Sequence, residues 1–155
     1  MCRAEAARIV ARQPELDAAG VRLVCVVKED LPPKEGEVGE IAAFSDGFWK
    51  GNAIYLDESM SFFTAIGGGK KNSTSIMSFL SMLVNPWSSL YANNKAAKEG
   101  GAGNLIGEGM IHGGVYVVKK GAKAGAKAHF AHVEAEVGAV SDVDALVAAC
   151  KTAAL

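Results

Sequence analysis

Residues 21–27, Val-Arg-Leu-Val-Cys-Val-Val, narrow what this chain can fold into more than any other segment. The run is almost continuously apolar and rich in β-branched valine, with no polar alternation. That is the signature of a strand buried on both faces, and hence of a parallel sheet covered by helices. Residues 3–19 precede it with Ala4, Ala7, Val10 and Ala11 at helical spacing; Pro14 predicts a break and Gly20 an end. A helix feeding straight into a doubly buried strand is half of a β-α-β unit. The fold class is therefore α/β.

The later segments follow the same logic. Pro32-Pro33 through Gly36 and Gly39 read as a loop leading to a short helix at 41–45. Residues 53–56 read as a second strand. Asp57 is placed to cap a helix over 59–66, with Met60 and Phe63 inward and Gly67-Gly68-Gly69 ending it. Ile76, Phe79, Leu80 and Leu83 at i, i+3, i+4, i+7 predict an amphipathic helix. Trp87, Leu90 and Tyr91 suggest another short one after Pro86. The glycine-rich stretch 100–114 reads as loop. Residues 115–118 and 128–133 then predict a β-hairpin. Ser141 with Asp144 resembles a capping box, opening a last helix whose buried stripe is Val143, Leu146, Val147 and Cys150.

Composition limits the partners. The chain has 155 residues, half of them hydrophobic, enough for one domain over residues 1–155 with its own core. Sixteen Lys+Arg against 17 Asp+Glu give a net charge of −1, which argues against nucleic acid or an acidic membrane surface. No apolar stretch approaches the ~20 residues of a membrane span. Met1-Cys2-Arg3-Ala4-Glu5 lacks the apolar core of a signal peptide. Three cysteines (Cys2, Cys25, Cys150) make an odd set, poorly suited to a disulfide framework. The expectation is a cytoplasmic, reducing setting. Oligomeric state and organelle targeting stay open.

The element order fits a thioredoxin-like fold, a mixed sheet with flanking helices, whose first β-strand is missing. That strand would lie mid-sheet, so its absence would leave a row of backbone groups unpaired.

Cys2-Arg3 opening an alanine-rich helix looks like the second half of a C-x-x-C-R redox motif. Other matching segments are residues 20–26, Gly51 with 54–59, and 71–76. The specific part is Gly103-Asn104-Leu105-Ile106-Gly107-Glu108-Gly109 followed by Gly113-Gly114-Val115-Tyr116-Val117-Val118; His129-Phe130 is the last match. On these residues the chain resembles the peroxiredoxin-like AhpC/TSA family, including its prostamide/prostaglandin F synthase and peroxiredoxin-like 2 branches.

The resemblance implies a thioredoxin-like fold and thiol redox chemistry on a hydroperoxide or lipid endoperoxide. It implies no tightly bound cofactor. A thiol reductase partner of the thioredoxin or glutathione system, fed ultimately by NADPH, would supply the electrons. Cysteines suit a helix start because orphan N–H groups and the helix dipole favour the thiolate. Cys2 matches the second cysteine of the motif, and the first would fall two residues before Met1. The resemblance thus implies a chain truncated at its N-terminus, with Cys2 as the candidate catalytic residue. Gly113 and Gly114 occupy the place of the thioredoxin cis-proline, which makes them candidate substrate-binding backbone. The alternative is a non-enzymatic thioredoxin-like scaffold or an inactive fragment.

Other features point to packing. Cys25, mid-strand, and Cys150, on an apolar helical stripe, read as core residues. The segments 67–73, 101–103 and 107–109 each miss a nucleotide-binding glycine pattern. His129 and His132 fall on opposite strand faces, so with Glu134 they make no metal site, and His112 stands alone in a loop. Asn72-Ser73-Thr74 fits a glycosylation acceptor but has no meaning without secretion. Trp49 and Trp87 read as core or edge packing rather than a ligand platform.

Overall fold

The structure is a computed structural model that describes residues 3–33, 35–36, 38–66, 73–75, 77–78, 81, 85, 87, 111–123, 126–135 and 139–153. Helix α1 (Arg3–Val10) breaks before α2 (Gln13–Ala18), which carries Pro14 in its first turn, where the missing N–H costs nothing. Gly20 turns the chain at φ +68° into strand β1 (Val24–Val27). Helix α3 (Glu40–Phe44) runs on into a π-helical turn, Ser45–Trp49, and then strand β2 (Ala53–Leu56). Helix α4 (Ser61–Ile66) precedes strands β3 (Gly114–Val117) and β4 (Phe130–Val133), and helix α5 (Val143–Ala153) closes the fold.

β1 and β2 pair in parallel, Cys25 opposite Ile54, while β3 and β4 pair antiparallel, Val115 opposite His132. The two pairs are separate sheets. Among the described residues, no strand lies on the edge of β1 away from β2, or on the edge of β3 away from β4. A side-chain link crosses between the pairs: Lys28 Nζ donates to the Ile111 carbonyl at 3.4 Å.

Two apolar clusters hold these parts together. Ala6, Cys25 and Trp49 pack with Val10, Val27, Phe44, Phe48 and Ile54. Ile9, Leu16, Val117, Leu146, Val147 and Cys150 pack with Val21, Val115 and Phe130. Leu23 touches both clusters, and α1 contributes to both, Ala6 to one and Ile9 to the other. The helix therefore ties the parallel pair to the hairpin. Val24, expected to be buried, is 44% exposed, and only Cys25 of β1 is fully buried.

Several caps differ from the sequence reading. Asp57 does cap α4, accepting from the Ser61 and Phe62 N–H groups at 3.1 and 2.8 Å, but the helix starts two residues later than expected. Met60 lies outside it at φ +57°, in the left-handed region, and only Phe63 turns into the core. Partial desolvation opposes ionisation of Asp57, and the Phe62 N–H, Ser59 hydroxyl and Ser61 N–H outweigh it, holding its carboxyl below the usual range. At α5 the cap is Asp142 rather than Ser141. Its Oδ1 accepts from the Asp144 and Ala145 N–H groups, both at 3.0 Å. Among the described residues the Ser141 hydroxyl has no hydrogen-bond partner, and its backbone N–H is taken by Glu5. Trp49 is buried as expected, but Trp87 is 90% exposed and packs on no core. The expected helices at 76–83 and 87–91, the glycine run 67–69 and residues 101–110 lie outside the described residues, apart from isolated positions.

An ion cluster fastens α2 to α5: Arg12 binds Glu15 and Asp144, and Lys151 Nζ sits 2.9 Å from Glu15. Hydrogen bonds from Arg12 and Lys151 lower the Glu15 carboxyl to about 2. A depressed carboxylate stabilises the fold above its unfolded value near 4.5, and that contribution is lost as pH falls through about 2. These groups are solvent-exposed, so salt should screen the effect. Urea titrations of wild type and Glu15→Gln should diverge at pH 5 and converge toward pH 2. Parallel curves over that range would rule out the cluster as a pH-linked contact.

Candidate functional site

The start of α1 is anchored from outside the helix. Arg3 forms a 2.9 Å ion pair with Glu40, and its guanidinium stacks 5.4 Å over the Phe48 ring. Phe48 and Trp49 each stack on Phe44, so the π-helical turn gives the helix start an aromatic seat. Glu5, also in the first turn, is 1% exposed and accepts from Ser141 N–H at 2.7 Å. Cys2, the candidate catalytic residue, lies outside the described residues. What is described is its immediate support: a helix N-terminus held against β1 and β2 by Ala6, with Arg3 beside it.

The other two thiols are buried, each 3% exposed. Burial pushes the Cys25 thiol up, only partly countered by the chain's amino terminus, and it pushes Cys150 up as well. Both are free, and both are poor nucleophiles, since the thiolate is the reactive form. They pack, as the sequence predicts.

The entry to β3 is a second polar cluster. Glu134 grips the chain before β3 in three ways. Its N–H donates to the Gly113 carbonyl at 3.1 Å, its Oε2 accepts from Gly113 N–H at 2.8 Å, and its carbonyl pairs with His112 Nδ1 at 3.0 Å. His112 Nε2 lies 2.6 Å from the Thr74 hydroxyl, and Ser73 bridges Ile111. The sequence placed His112 alone in a loop; the structure instead puts it at the centre of a network. No local signal could have found this, since Thr74 is 38 residues away. A cleft lined by Ser73, His112, Val133, Glu134 and Ala135 opens beside it.

Gly113 is buried, with its N–H taken by Glu134, and Gly114 is packed under Tyr116. A Cβ at Gly114 would sit 2.4 Å from the His132 carbonyl and 3.0 Å from the Tyr116 ring. The first contact is backbone and cannot swing away, so Gly114→Ala should cost about 1–3 kcal/mol in chemical denaturation. A variant as stable as wild type would mean the hairpin can open there without penalty. Among the described residues the buried Tyr116 hydroxyl has no hydrogen-bond partner; burial, then the negative charge of Glu134, pushes its pKa up. Phe62 packs edge-on against its ring at 6.4 Å. His129 reaches the Thr152 hydroxyl at 2.9 Å, whereas the buried His132 Nε2 has no partner among the described residues. Among the described residues, no three His, Cys, Asp or Glu side chains are grouped to hold a metal, and no helix is long and apolar enough to cross a membrane.

A parallel strand pair, an antiparallel hairpin and helices that pack on both make an α/β protein, and the family match brings with it the thioredoxin-like class. The family model described as AhpC/TSA antioxidant enzyme matches residues 8–136, and the chain belongs to that family. It is similar to Peroxiredoxin-like 2A of Rattus norvegicus, 36% identical over 78% of this chain and 45% of that protein. The Homo sapiens protein of the same name is 36% identical over the same shares. That of Danio rerio is 31% identical over 97% of this chain and 62% of its own length. The chain thus spans about half the length of the curated relatives it matches. No solved structure matches it.

Proposed function

We propose that the chain carries out thiol-dependent reduction of hydroperoxides or lipid endoperoxides, the latter in the manner of prostaglandin F synthase. Cys2 would be the second thiol of a C-x-x-C pair whose first member would be supplied by a preceding strand. Membership of the AhpC/TSA antioxidant enzyme family carries this reading. The anchored start of α1 supports it, because a helix N-terminus favours a thiolate at that position. Arg3 adds positive charge, although Glu40 shares it.

In the proposed cycle the upstream thiolate attacks the O–O bond, becoming a sulfenic acid, and the leaving alkoxide takes a proton. Cys2 then displaces water to form a disulfide. An endoperoxide has both oxygens in one molecule, so two thiols yield a diol and a disulfide. A dithiol reductant of the thioredoxin or glutathione system restores the pair, drawing ultimately on NADPH. The setting is cytoplasmic, and Gly113 and Gly114 are proposed as substrate-facing backbone.

Three measurements test this. The coding sequence upstream of Met1 should read in frame through an apolar strand ending in Cys-x; a stop codon there would favour a non-enzymatic scaffold. The longer protein should lose thiols on peroxide addition and cease to do so when the upstream cysteine becomes serine. In the 155-residue chain, thiol titration at neutral pH should find one fast thiol, Cys2, and all three cysteines only after denaturation. Rapid reaction of Cys25 or Cys150 in the folded chain would contradict their burial.

A further inference from the structure

The bond between Thr74 and His112 has an order that the thiol chemistry leaves unused. The Glu134 main-chain carbonyl can only accept, so His112 Nδ1 must carry the proton in their 3.0 Å hydrogen bond. In the neutral ring Nε2 is then a lone pair, and across 2.6 Å the Thr74 hydroxyl must be the donor. A hydroxyl donating into an imidazole whose far nitrogen is held by a third group is the arrangement of an activated nucleophile, its base and the base's orienter. Three anchors hold it, each backbone or buried: the Glu134 carbonyl, the Glu134 carboxylate on Gly113 N–H, and the bridge from Ser73 to Ile111. Thr74 and His112 themselves are half-buried, within reach of a small molecule. The adjoining cleft is lined by His112 and Glu134 together with Ser73, Val133 and Ala135, and the acid among them favours an uncharged group over an anionic one.

We propose that Thr74 is a nucleophilic hydroxyl that takes a small, uncharged acyl group from an activated ester, with His112 as its general base. Thr74 Oγ1 bonds to the acyl carbon while its proton passes to His112 Nε2. The ester C–O bond breaks, and that proton leaves with the alcohol or phenol oxygen. Water, deprotonated by the same nitrogen, then releases the acid and restores the hydroxyl; no electrons are exchanged. The Glu134 carboxylate, bound to the residue next to His112, offers charge that favours the transient imidazolium.

The test uses p-nitrophenyl acetate and the 155-residue chain, with the acetylated position mapped by peptide mass spectrometry. An acetyl group on Thr74 is expected in the wild type, distinguishable by position from any on Cys2 or the lysines. Thr74→Ser should retain the adduct, Thr74→Val should lack it, and His112→Gln should slow its formation by about 100-fold or more. An unmodified Thr74 in the wild type, or labelling of His112→Gln at the wild-type rate, would overturn the proposal. The wild-type and Thr74→Ser results stand even if the other variants fail to fold.

Discussion

Trp49→Ala should remove about 3–5 kcal/mol of folding stability, the range for truncating a large buried aromatic side chain. Trp49 is 2% exposed and central to the cluster formed with Ala6 and Cys25. Its ring stacks 6.1 Å from Phe44, and its Nε1 donates to the Ala53 carbonyl at 3.1 Å, at the first residue of β2. The side chain thus joins the π-helical turn to the strand as well as filling the core. Trp49→Phe should cost less, about 1–2 kcal/mol, because it restores most of the apolar area and loses the hydrogen bond. Urea denaturation followed by far-UV circular dichroism can read both steps, since each variant removes the buried tryptophan and leaves only the exposed Trp87 as a fluorophore. Equal costs for the two variants would show that the hydrogen bond, rather than packing, carries the residue.

Glu5→Ala should be the next most damaging change, at about 2–3 kcal/mol. Of this, leaving a buried N–H without an acceptor accounts for about 1–3 kcal/mol. Glu5 reaches from the first turn of α1 to the Ser141 N–H just before α5, joining positions 136 apart in sequence. Burying a carboxylate is itself costly, so the net effect is smaller than the raw interaction suggests. Glu5→Gln keeps an acceptor oxygen at the same reach, and its loss should stay within about 1 kcal/mol. If Glu5→Ala unfolds at the wild-type urea midpoint, the link between α1 and α5 does not exist in solution.

What the sequence disclosed and what it hid divide along a physical line. Periodicity is local, so β2 over 53–56, the break at Pro14, the hairpin and the stripe Leu146, Val147 and Cys150 could all be read directly. Contacts set by tertiary packing could not. Nothing near Glu5 marks it as buried rather than as an ordinary charge on a helix. Ser141 and Asp142 are both good caps; the structure uses Asp142, while Glu5, from the other end of the chain, takes the Ser141 N–H. His112 gained its partners from residues 38 and 22 positions away. At the candidate thiol site the motif identified Cys2 and the structure describes its neighbours Arg3 and Glu5. The motif could not disclose how Glu40 and Phe48 hold that helix start, because both arrive from a different part of the chain.

The division into two strand pairs sets a pattern in time as well as in space. Val27 accepts from Asp57 N–H, so the backbone groups of Val27, and of Cys25 two residues before it, face β2. Those of Val24 and Val26 face the other way. On β3, Val117 accepts from His129 N–H, so Val117 and Val115 face β4 while Gly114 and Tyr116 face outward. Amide hydrogen exchange along both strands should therefore alternate residue by residue, slow at 25 and 27 and at 115 and 117, fast between them. Any strand that joins either edge, from whatever source, would abolish that alternation, which makes the exchange rates of Val26 and Tyr116 a direct gauge of how wide the sheet is in solution.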